Sequence, residues 1–401
     1  MAGIVIVGGG QAGFSLAAKL RSLACTDPIT LLCEESAPPY QRPPLSKAYL
    51  LGEMERERLF FRPEAFYGEQ DIDLRLGTTV HSIDPATKTV QTSDGALPYT
   101  HLAFTTGSVA RRLPAKMGGS LDGVHVVRTL SDIDTLAKDV RPGAKAVIIG
   151  GGYIGLEAAA VATKRGVAVT LVEMADRILQ RVAAPETSDF FRDLHTSHGV
   201  DILEGMGVAA LEGQSRVERV VLSNGRTLDV DFVIAGIGIL PADDLAKSAG
   251  LDCDNGIKVD ARGQTSDPAI WAAGDCASFP YRGQRIRLES VQNAIDQAEA
   301  VAANIMGADT DYVPKPWFWS DQYDVKLQIA GLNTGYDHVA ARNVEGAQSH
   351  WYYAGDTLLA VDAMNAPRDY MVGKRLIEAG KSPDASVIAD PTSDLKALLR
   401  P

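Results

Sequence analysis

The sequence predicts an α/β protein with two similar parallel-sheet units and a small α+β domain at its C-terminal end. A β-branched run, a glycine-rich turn and a helical pattern follow one another twice, starting at Ile4 and at Ala146. Each copy continues into another apolar strand, at residues 29–33 and 168–172, which is the order of a parallel α/β unit. After residues 314–316 the composition turns aromatic and strand-like, which predicts a separate, mainly antiparallel domain.

Composition excludes several classes of function. A chain of 401 residues exceeds one hydrophobic core, so two or three domains are expected. The net charge of -12 argues against a nucleic-acid partner. No apolar run reaches the ~20 residues that span a bilayer, and the N-terminal residues lack a signal peptide's charged region. We therefore expect a cytoplasmic protein with no membrane partner.

The cysteines predict neither a metal site nor a disulfide relay. No two of the four have C-x-x-C or C-x₄-C spacing, and no metal-ligand pattern is present. We expect reduced, structural thiols in a reducing compartment, at Cys25, Cys33, Cys253 and Cys276.

Each glycine-rich turn has the G-x-G-x-x-G spacing of a Rossmann-like dinucleotide-binding unit. The first glycine permits a tight turn, the second lets the backbone approach a pyrophosphate, and the third lets helix and strand pack closely. The six glycines are Gly8, Gly10 and Gly13 in the first copy, and Gly150, Gly152 and Gly155 in the second. The alternative is that both are ordinary glycine turns that bind no ligand. This alternative requires the same glycine spacing to have arisen by chance twice.

An acid stands at the end of the second strand of each copy. Glu34 and Glu173 lie about 20 residues beyond the third glycine, where a carboxylate binds a ribose diol. The carboxylate of Glu173 would repel the 2′-phosphate of NADP, so NAD is favoured. Arg177 and Arg181 follow it closely and keep NADP open.

The rest of the chain carries weaker structural signals. Turn residues in the middle of residues 89–102 and of residues 217–233 predict one strand–turn–strand pair in each of these segments. Residues 290–306 have helical spacing, and residues 391–401 read as a terminal helix and tail. Strands are expected in the C-terminal part at residues 326–330, 349–353 and 357–361.

Several motifs together resemble the ferredoxin reductases of bacterial oxygenase systems, over almost the whole chain. They are PPLSK at 43–47, TTG at 105–107, GGGYIGLE at 150–157, IAGIG at 234–238, GDC at 274–276, ESVQN at 289–293 and WFWSDQ at 317–322. Thr105 departs from the Ala of many relatives. The resemblance implies a glutathione-reductase-like fold with FAD and NAD as cofactors. It also implies an FAD domain at 1–109 and 236–315, an NAD domain at 110–235, and a C-terminal domain at 316–401.

The resemblance also implies roles for individual residues. Lys47, near the flavin N5 edge, and Glu157, near the nicotinamide amide, would be the catalytic residues. Trp319 would lie on the acceptor side of the flavin. The other implied FAD contacts are Gly8, Gly10, Gly13, Glu34, Arg42 at the pyrophosphate, Val80, Thr106, Gly107, Asp275 at the ribitol and Val291 at the pyrimidine edge. The other implied NAD contacts are Gly150, Gly152, Gly155, Glu173, Gly236 and Gly238.

Structural explanations compete with several of these roles. The prolines before Leu45 could start a helix, since proline suits a first turn. Glu157 could complement the helix dipole from a first helical turn, and Asp275 could be a turn residue. The aromatic residues could form the core of the C-terminal domain. Taken singly, the structural explanation is favoured for Glu157 and for the aromatics.

The absence of a redox-active cysteine pair limits how electrons can leave the flavin. Without a disulfide relay, the acceptor must approach the flavin itself, and a small iron–sulfur ferredoxin that serves an oxygenase is the expected one. Rubredoxin, monodehydroascorbate or dioxygen are alternatives, and a flavin-binding interaction protein is a more distant one. Candidate basic residues for docking an acidic ferredoxin are Arg62, Arg285, Arg287 and Lys315.

Overall fold

The computed structural model describes residues 2–400. The chain divides into two compact units. The first runs to Gln41 and includes Glu55–Val109 and Ile239–Pro316; the second includes Arg42–Met54, Ala110–Gly238 and the chain from Trp317 onward. The short segment Arg42–Met54 thus belongs to the second unit, although it lies between two segments of the first.

The first unit is built on a seven-stranded sheet. Numbered along the chain, its strands are β1 (Gly3–Val7), β2 (Ile29–Leu32), β3 (Ile72–Arg75), β4 (Val80–Asp84), β5 (Thr89–Thr92), β6 (Gly95–Phe104) and β18 (Ile270–Ala272). The order is β3-β2-β1-β6-β5-β4, with β18 beside β6. Strands β1, β2, β3, β6 and β18 run parallel, while β4 and β5 are antiparallel. All five residues of β1 are buried, as its unbroken apolar run predicts.

Helices cover the parallel part of this sheet. Helices α1 and α7 pack on it around Leu16, Leu20 and Val301, which are buried in one apolar cluster. Ser290 caps α7 by accepting a hydrogen bond from Asn293 N. The helices are α1 (Gln11–Ser22), α2 (Glu64–Glu69), α6 (Asp244–Ser248), α7 (Val291–Ile305) and a 3₁₀ turn (Arg56–Leu59). The remaining strands are β7 (Ser108–Ala110), β16 (Ile239–Pro241), β17 (Ile257–Lys258), β19 (Ala277–Tyr281) and β20 (Gln284–Ile286).

The second unit repeats the parallel design. Its five-stranded parallel sheet has the order β11-β10-β9-β15-β8. These strands are β8 (Val124–His125), β9 (Lys145–Ile149), β10 (Ala168–Val172), β11 (Asp201–Leu203) and β15 (Phe232–Ala235). A separate antiparallel sheet contains β12 (Val208–Glu212), β13 (Arg219–Leu222) and β14 (Thr227–Asp229). The helices are α3 (Leu130–Leu136), α4 (Tyr153–Lys164), α5 (Pro185–Ser197), a short helical segment kinked at Lys47 (Leu45–Tyr49) and a 3₁₀ turn (Ala115–Met117).

The C-terminal part of the second unit is the expected antiparallel domain. Its five strands have the order β21-β22-β25-β24-β23, and Trp351, Val361 and Leu376 lie in its core. The strands are β21 (Trp317–Gln322), β22 (Val325–Gly331), β23 (His338–Val344), β24 (Ala347–Ala354) and β25 (Thr357–Met364). The helices are α8 (Pro367–Glu378), α9 (Ala385–Ala389) and a 3₁₀ turn (Leu395–Leu399).

The predicted fold class is confirmed, while the last helix differs from the expectation. The predicted terminal helix is only a 3₁₀ turn, and α9 precedes Pro391. Asp384 and Asp394 start these two short elements by accepting backbone hydrogen bonds, so local capping decides where they begin. No helix within residues 2–400 has the length and apolar character that crossing a bilayer requires.

Candidate functional site

The glycine-rich turn of the first unit has open space where a ligand phosphate would approach. Gly8 has a φ of +114°, a conformation that favours glycine. A Cβ at Gly13 would lie 2.0 Å from the carbonyl oxygen of Gly8, so helix α1 can approach the turn only with glycine there. At Gly10 an added Cβ would meet nothing within 4 Å, and no side chain caps the helix that starts after it.

The turn of the second unit has the same geometry. Gly150 has a φ of +105°, and a Cβ at Gly155 would lie 2.0 Å from the Gly150 carbonyl oxygen. Gly152 again has open space around its missing Cβ and lacks a side-chain cap for helix α4. A Cβ at Gly150 would lie 2.4 Å from the carbonyl oxygen of Gly236, so the strand end at Gly236 packs against this turn.

Both turns fit the pyrophosphate of a dinucleotide. The first turns of helices α1 and α4 contain no acidic residue, so their free N–H groups and positive dipole ends are available to an anion. A Cβ at the second glycine of each turn would meet no protein atom within 4 Å, which is compatible with the predicted phosphate position. Gly238 has a φ of +95° and open space around its missing Cβ, whereas a Cβ at Gly236 would be in ordinary contact with the backbone of Gly155.

The two acids after the second strands differ in their surroundings. Glu34 is exposed to solvent. Glu173 is half-buried, and its carboxylate accepts hydrogen bonds from the backbone N–H groups of Gly151 at 2.6 Å and Ala175 at 2.8 Å. These bonds hold the carboxylate beside the glycine turn. Arg177, the nearest base, donates instead to Ser188 Oγ and to the carbonyl oxygen of Ala183.

Lys47 and Glu157 form an ion pair inside the second unit, in which the carboxylate is buried and the lysine partly exposed. Lys47 Nζ lies 2.6 Å from Oε2 of Glu157, whose side chain is only 2% exposed. Ser46 Oγ donates to the same oxygen at 2.7 Å, and Ser320 Oγ donates to Oε1 at 2.7 Å. Three donors, one of them the positively charged Lys47, therefore compensate a carboxylate that would otherwise be costly to bury.

The dipole interpretation of Glu157 is wrong. Glu157 is the fifth residue of helix α4, beyond the first turn, where the free N–H groups end. Its carboxylate accepts hydrogen bonds from side chains and not from the free N–H groups of the helix terminus. The prolines before Leu45 do start a helical turn, as the structural alternative predicts, since Pro44 precedes the helical segment Leu45–Tyr49, which is kinked at Lys47.

Several predicted flavin contacts lie together in the first unit. Asp275 follows Gly274, whose φ is +82°, and accepts a hydrogen bond from Ser108 Oγ at 2.9 Å. Thr106 Oγ1 donates to the carbonyl oxygen of Ala242 at 2.6 Å. Gly107 follows Thr106 directly, so these residues share one corner of the unit.

The remaining predicted flavin contacts are placed elsewhere. Val291 is the first residue of helix α7, directly after its cap Ser290. Val80 is half-buried at the start of β4 and packs against an apolar cluster of the first unit. Arg42 belongs to the second unit, where Nη1 donates to the carbonyl oxygen of Arg128 at 2.6 Å.

The aromatic residues of β21 are half-buried, so they are only partly core. Trp319 lies 5.4 Å from Trp317 between ring centroids, and Trp317 packs toward Tyr370 of helix α8. Phe318 faces Tyr153 at the start of helix α4, with centroids 5.0 Å apart. Within the second unit, β21 thus joins the C-terminal domain to the glycine turn's helix.

None of the four cysteines is bonded to another. Cys25, Cys33 and Cys276 are buried, and burial raises the pKa of the Cys33 thiol to about 12. Burial also raises the pKa of Cys253 and of Cys276. These thiols stay protonated near neutral pH, which suits structural residues. Among residues 2–400, no cluster of three or more His, Cys, Asp or Glu side chains could hold a metal ion.

Comparison with known proteins identifies the family. Residues 2–298 match the pyridine nucleotide-disulphide oxidoreductases, and residues 317–399 match the reductase C-terminal domain. The ferredoxin–NAD(P)⁺ reductase of a Sphingomonas species is 44% identical over 406 residues, which cover 99% of this chain and 98% of that protein. Putidaredoxin reductase of Pseudomonas putida is 40% identical, with 99% and 96% covered. The chain belongs to the ferredoxin reductases of bacterial oxygenase systems.

A solved structure agrees with this membership. The crystal structure of the covalent putidaredoxin reductase–putidaredoxin complex matches this chain with a TM-score of 0.95 at 40% identity, covering 99% of this chain and 97% of that one. The resemblance inferred from the motifs is therefore confirmed. The pyridine nucleotide-disulphide oxidoreductase family implies binding of FAD and NAD(P), and the two glycine turns fit such ligands.

In this ferredoxin reductase, the candidate docking residues are not equivalent. The Arg287 side chain is only 8% exposed and pairs with Glu289 at 2.6 Å, so its proposal as a docking residue is wrong. Arg285 donates to the carbonyl oxygens of Val259 and Ser278. Lys315 is exposed, and Arg62 is exposed over the ring of Phe66.

Sequence reasoning missed the hydroxyl groups that hold Glu157. Ser46 and Ser320 are 111 and 163 residues from Glu157 along the chain. One signal was available: Ser320 and Gln322 are polar, two residues apart on one strand, and therefore share a face. Both side chains are fully buried, which marks that face as a polar contact inside the second unit.

Proposed function

We propose that this chain uses FAD to oxidise NADH and to pass the electrons singly to a small iron–sulfur ferredoxin that serves an oxygenase. The observation that carries the proposal is the repeated glycine turn, with the same contacts at Gly8 and Gly13 as at Gly150 and Gly155. Two such turns suit one flavin and one nicotinamide dinucleotide. Each NADH would reduce two one-electron ferredoxins and release one proton.

We assign FAD to the first unit and NADH to the second. Glu34, Asp275, Thr106, Gly107, Val80 and Val291 would hold FAD, together with Gly8, Gly10 and Gly13. When bound, FAD takes two electrons from NADH and can give them up one at a time. In the second unit, Glu173 would bind the adenosine ribose and Gly238 would border the nicotinamide. Arg42 and Lys47 are proposed as further flavin contacts, as the family resemblance implies.

The Lys47–Glu157 pair supports a role in electron transfer from NADH. A lysine ammonium whose charge is matched by a buried carboxylate keeps a fixed position without carrying excess charge. Glu157 follows the glycine turn on the same helix, which supports the proposal that its carboxylate lies near the nicotinamide. We propose that Glu157 orients the carboxamide of NADH and that Lys47 faces the flavin.

The preference for NADH rests on Glu173 and Arg177. The Glu173 carboxylate is held beside the turn by the N–H groups of Gly151 and Ala175, where it would repel a 2′-phosphate. Arg177 is already bonded to Ser188 and Ala183, so it does not offer its guanidinium to that phosphate. Both features favour the unphosphorylated cofactor.

The state of the cysteines supports direct delivery to an external acceptor. Each of the four is unbonded, no two have the C-x-x-C or C-x₄-C spacing of a redox pair, and a raised pKa keeps Cys33 protonated, which argues against an internal thiol carrier. Relatives whose names specify ferredoxin or putidaredoxin match this chain over nearly their full length. Trp319, half-buried beside Trp317, is the candidate contact for the acceptor.

The proposal is tested with the purified holoprotein. Stopped-flow absorbance should show rapid flavin bleaching with NADH and a lower kcat/KM with NADPH. Steady-state turnover should then require a ferredoxin, measured against a panel of [2Fe–2S] ferredoxins, with rubredoxin, monodehydroascorbate and dioxygen as competing acceptors. Faster turnover with any of these three than with every ferredoxin would replace the proposed acceptor.

A further inference from the structure

A chain of three buried hydrogen bonds ends on the carboxylate of Glu157. Ser320 Oγ lies 2.7 Å from Glu157 Oε1, and Gln322 Nε2 lies 3.1 Å from Ser320 Oγ. His195 Nε2 lies 2.8 Å from Gln322 Oε1. Ser320, Gln322 and His195 are all fully buried, and the chain lies within the second unit.

The carboxylate fixes the direction of every hydrogen bond in this chain. An ionised carboxylate only accepts, so Ser320 must donate its single hydroxyl proton to Glu157. The Ser320 oxygen then accepts from the amide N–H₂ of Gln322, which turns the Gln322 carbonyl toward His195.

His195 must therefore carry its proton on Nε2. Burial lowers the pKa of His195 to about 4, so the ring is neutral at pH 7 and has one N–H. That N–H is needed for Gln322, which leaves Nδ1 as an acceptor 3.5 Å from the hydroxyl of Tyr323. All donors thus point toward Glu157, and aligned hydrogen bonds polarise and strengthen one another.

We propose that Ser320, Gln322 and His195 are positioning residues that orient the Glu157 carboxylate for the reaction with NADH. This inference rests on the proposed function. Oε2 of Glu157 is used by Ser46 and Lys47, while Oε1 is used by Ser320, so the two sets of donors fix the carboxylate plane.

The chain of hydrogen bonds also connects strand β21, which contains the candidate acceptor contact, to this carboxylate. Ser320 and Gln322 belong to β21, and Ser320 directly follows Trp319, the candidate acceptor contact. Helix α5 contributes His195. Loss of the Ser320 hydroxyl frees one oxygen of Glu157, so the carboxylate turns more freely and Lys47 loses its fixed partner.

Substitution of Ser320 tests the proposal, and Ser349 provides a matched control. Ser349 is equally buried in the same sheet, and its hydroxyl donates to the carboxylate of Asp369 at 2.7 Å. In S320A the rate constant of flavin reduction by NADH should fall about tenfold, the order of one hydrogen bond to a charged group. S320T restores the hydroxyl and should recover most of the rate. S349A should lower the melting temperature but leave flavin reduction unchanged.

The protonation state of His195 provides a readout that does not depend on activity. Nitrogen-15 NMR of the oxidised holoprotein at pH 7 should show His195 neutral and protonated on Nε2. If S320A does not fold, Gln322→Met, which interrupts the chain one step further from Glu157, replaces it in the kinetic test and should also slow reduction.

Two results would overturn the proposal: a proton on Nδ1 of His195, or a variant with an interrupted chain that is reduced as fast as S349A. Failure of the proposed function has a different signature. In that case the wild-type flavin itself is not reduced by NADH, whereas the NMR result still decides whether the chain has the inferred direction.

Discussion

The guanidinium of Arg287 donates a hydrogen bond to the backbone carbonyl oxygen of Asp275, with Nη1 and O 3.1 Å apart. The same guanidinium pairs with Glu289. Arg287 therefore joins the turn at Gly274 to the segment that leads into helix α7. Both segments are predicted to contact FAD, so we expect Arg287 to support the predicted flavin site.

Charge reversal should test this supporting role. R287E places a second carboxylate beside Glu289 in a buried position, which we expect to destabilise the first unit by about 3 kcal/mol. The purified variant should contain less FAD per protein, measured from the absorbance ratio of flavin to protein. K315E changes an exposed residue and should keep its flavin. If Lys315 docks the ferredoxin, the ferredoxin-dependent turnover of K315E should fall mainly at low salt. A fully flavinated R287E would contradict the supporting role.

Adding a single methyl group to one glycine of each turn should show which turn binds which cofactor. A Cβ at Gly10 or at Gly152 meets no protein atom within 4 Å, so G10A and G152A should both fold. G10A should be purified with little FAD, because the methyl occupies the space predicted for its pyrophosphate. G152A should retain FAD yet be reduced by NADH only at much higher concentration, as stopped flow would show. The opposite pattern would exchange the assignment of cofactors to units.

Sequence periodicity and spacing predicted the nucleotide turns because these depend on local backbone geometry. The positive φ at Gly8 and the 2.0 Å approach at Gly13 follow from residues five positions apart. The same relation holds at Gly150 and Gly155. A motif read along the chain contains everything needed to build such a turn.

The environment of Glu157 could not be predicted in this way. Its partners come from distant parts of the chain, and a lone glutamate near a helix start is more often explained by the helix dipole. Arg287 was misassigned for the related reason that a charged residue before a motif looks exposed in sequence. Only the tertiary structure shows that the side chain turns inward to Asp275 and Glu289.

Neutralising Glu173 should narrow the preference for NADH. In E173Q the side-chain carbonyl can still accept from a backbone N–H, while the repulsion of a 2′-phosphate is removed. We expect kcat/KM for NADPH to rise about tenfold relative to that for NADH. E34Q, at the matching position of the first unit, should leave the ratio unchanged. A wild-type preference for NADPH would contradict the assignment.

Substitution of Trp319 should affect the reaction with the acceptor and not the reaction with NADH. In W319A, flavin bleaching by NADH in stopped flow should be close to wild type, while ferredoxin-dependent turnover falls, mostly through a higher KM for ferredoxin. W319F retains an aromatic ring and should recover part of the loss. Trp317 packs toward Tyr370, so W317A serves as a control that lowers stability. Slower bleaching in W319A with intact ferredoxin turnover would place Trp319 on the NADH side.

Asp362 is a buried acid whose hydrogen-bond partners are neutral hydroxyl groups. Thr187 Oγ1 donates to its carboxylate at 2.9 Å, and the Tyr352 hydroxyl also donates to it. Burial outweighs these two bonds and raises the pKa of Asp362 from 3.8 to about 6. His350, which bonds to Thr187 from the other side, stays neutral in the folded protein because burial lowers its pKa to about 4.

Replacement of Asp362 by Asn should therefore stabilise the protein at high pH and not at low pH. Because the folded pKa lies above the unfolded one, the protonated acid favours the folded state below pH 4, and this stability is lost as pH rises through about 6. At pH 8 the buried charge costs roughly 3 kcal/mol, and D362N removes it while keeping an acceptor for Thr187 and Tyr352. The difference in unfolding free energy, measured by urea denaturation, should favour D362N at pH 8 and vanish or reverse near pH 4. His350 titrates in both proteins and cancels in this difference, while D356N, at an exposed turn of the same sheet, controls for the loss of one charge. A D362N protein that is less stable than wild type at pH 8 would show that the carboxylate is stabilising despite its burial.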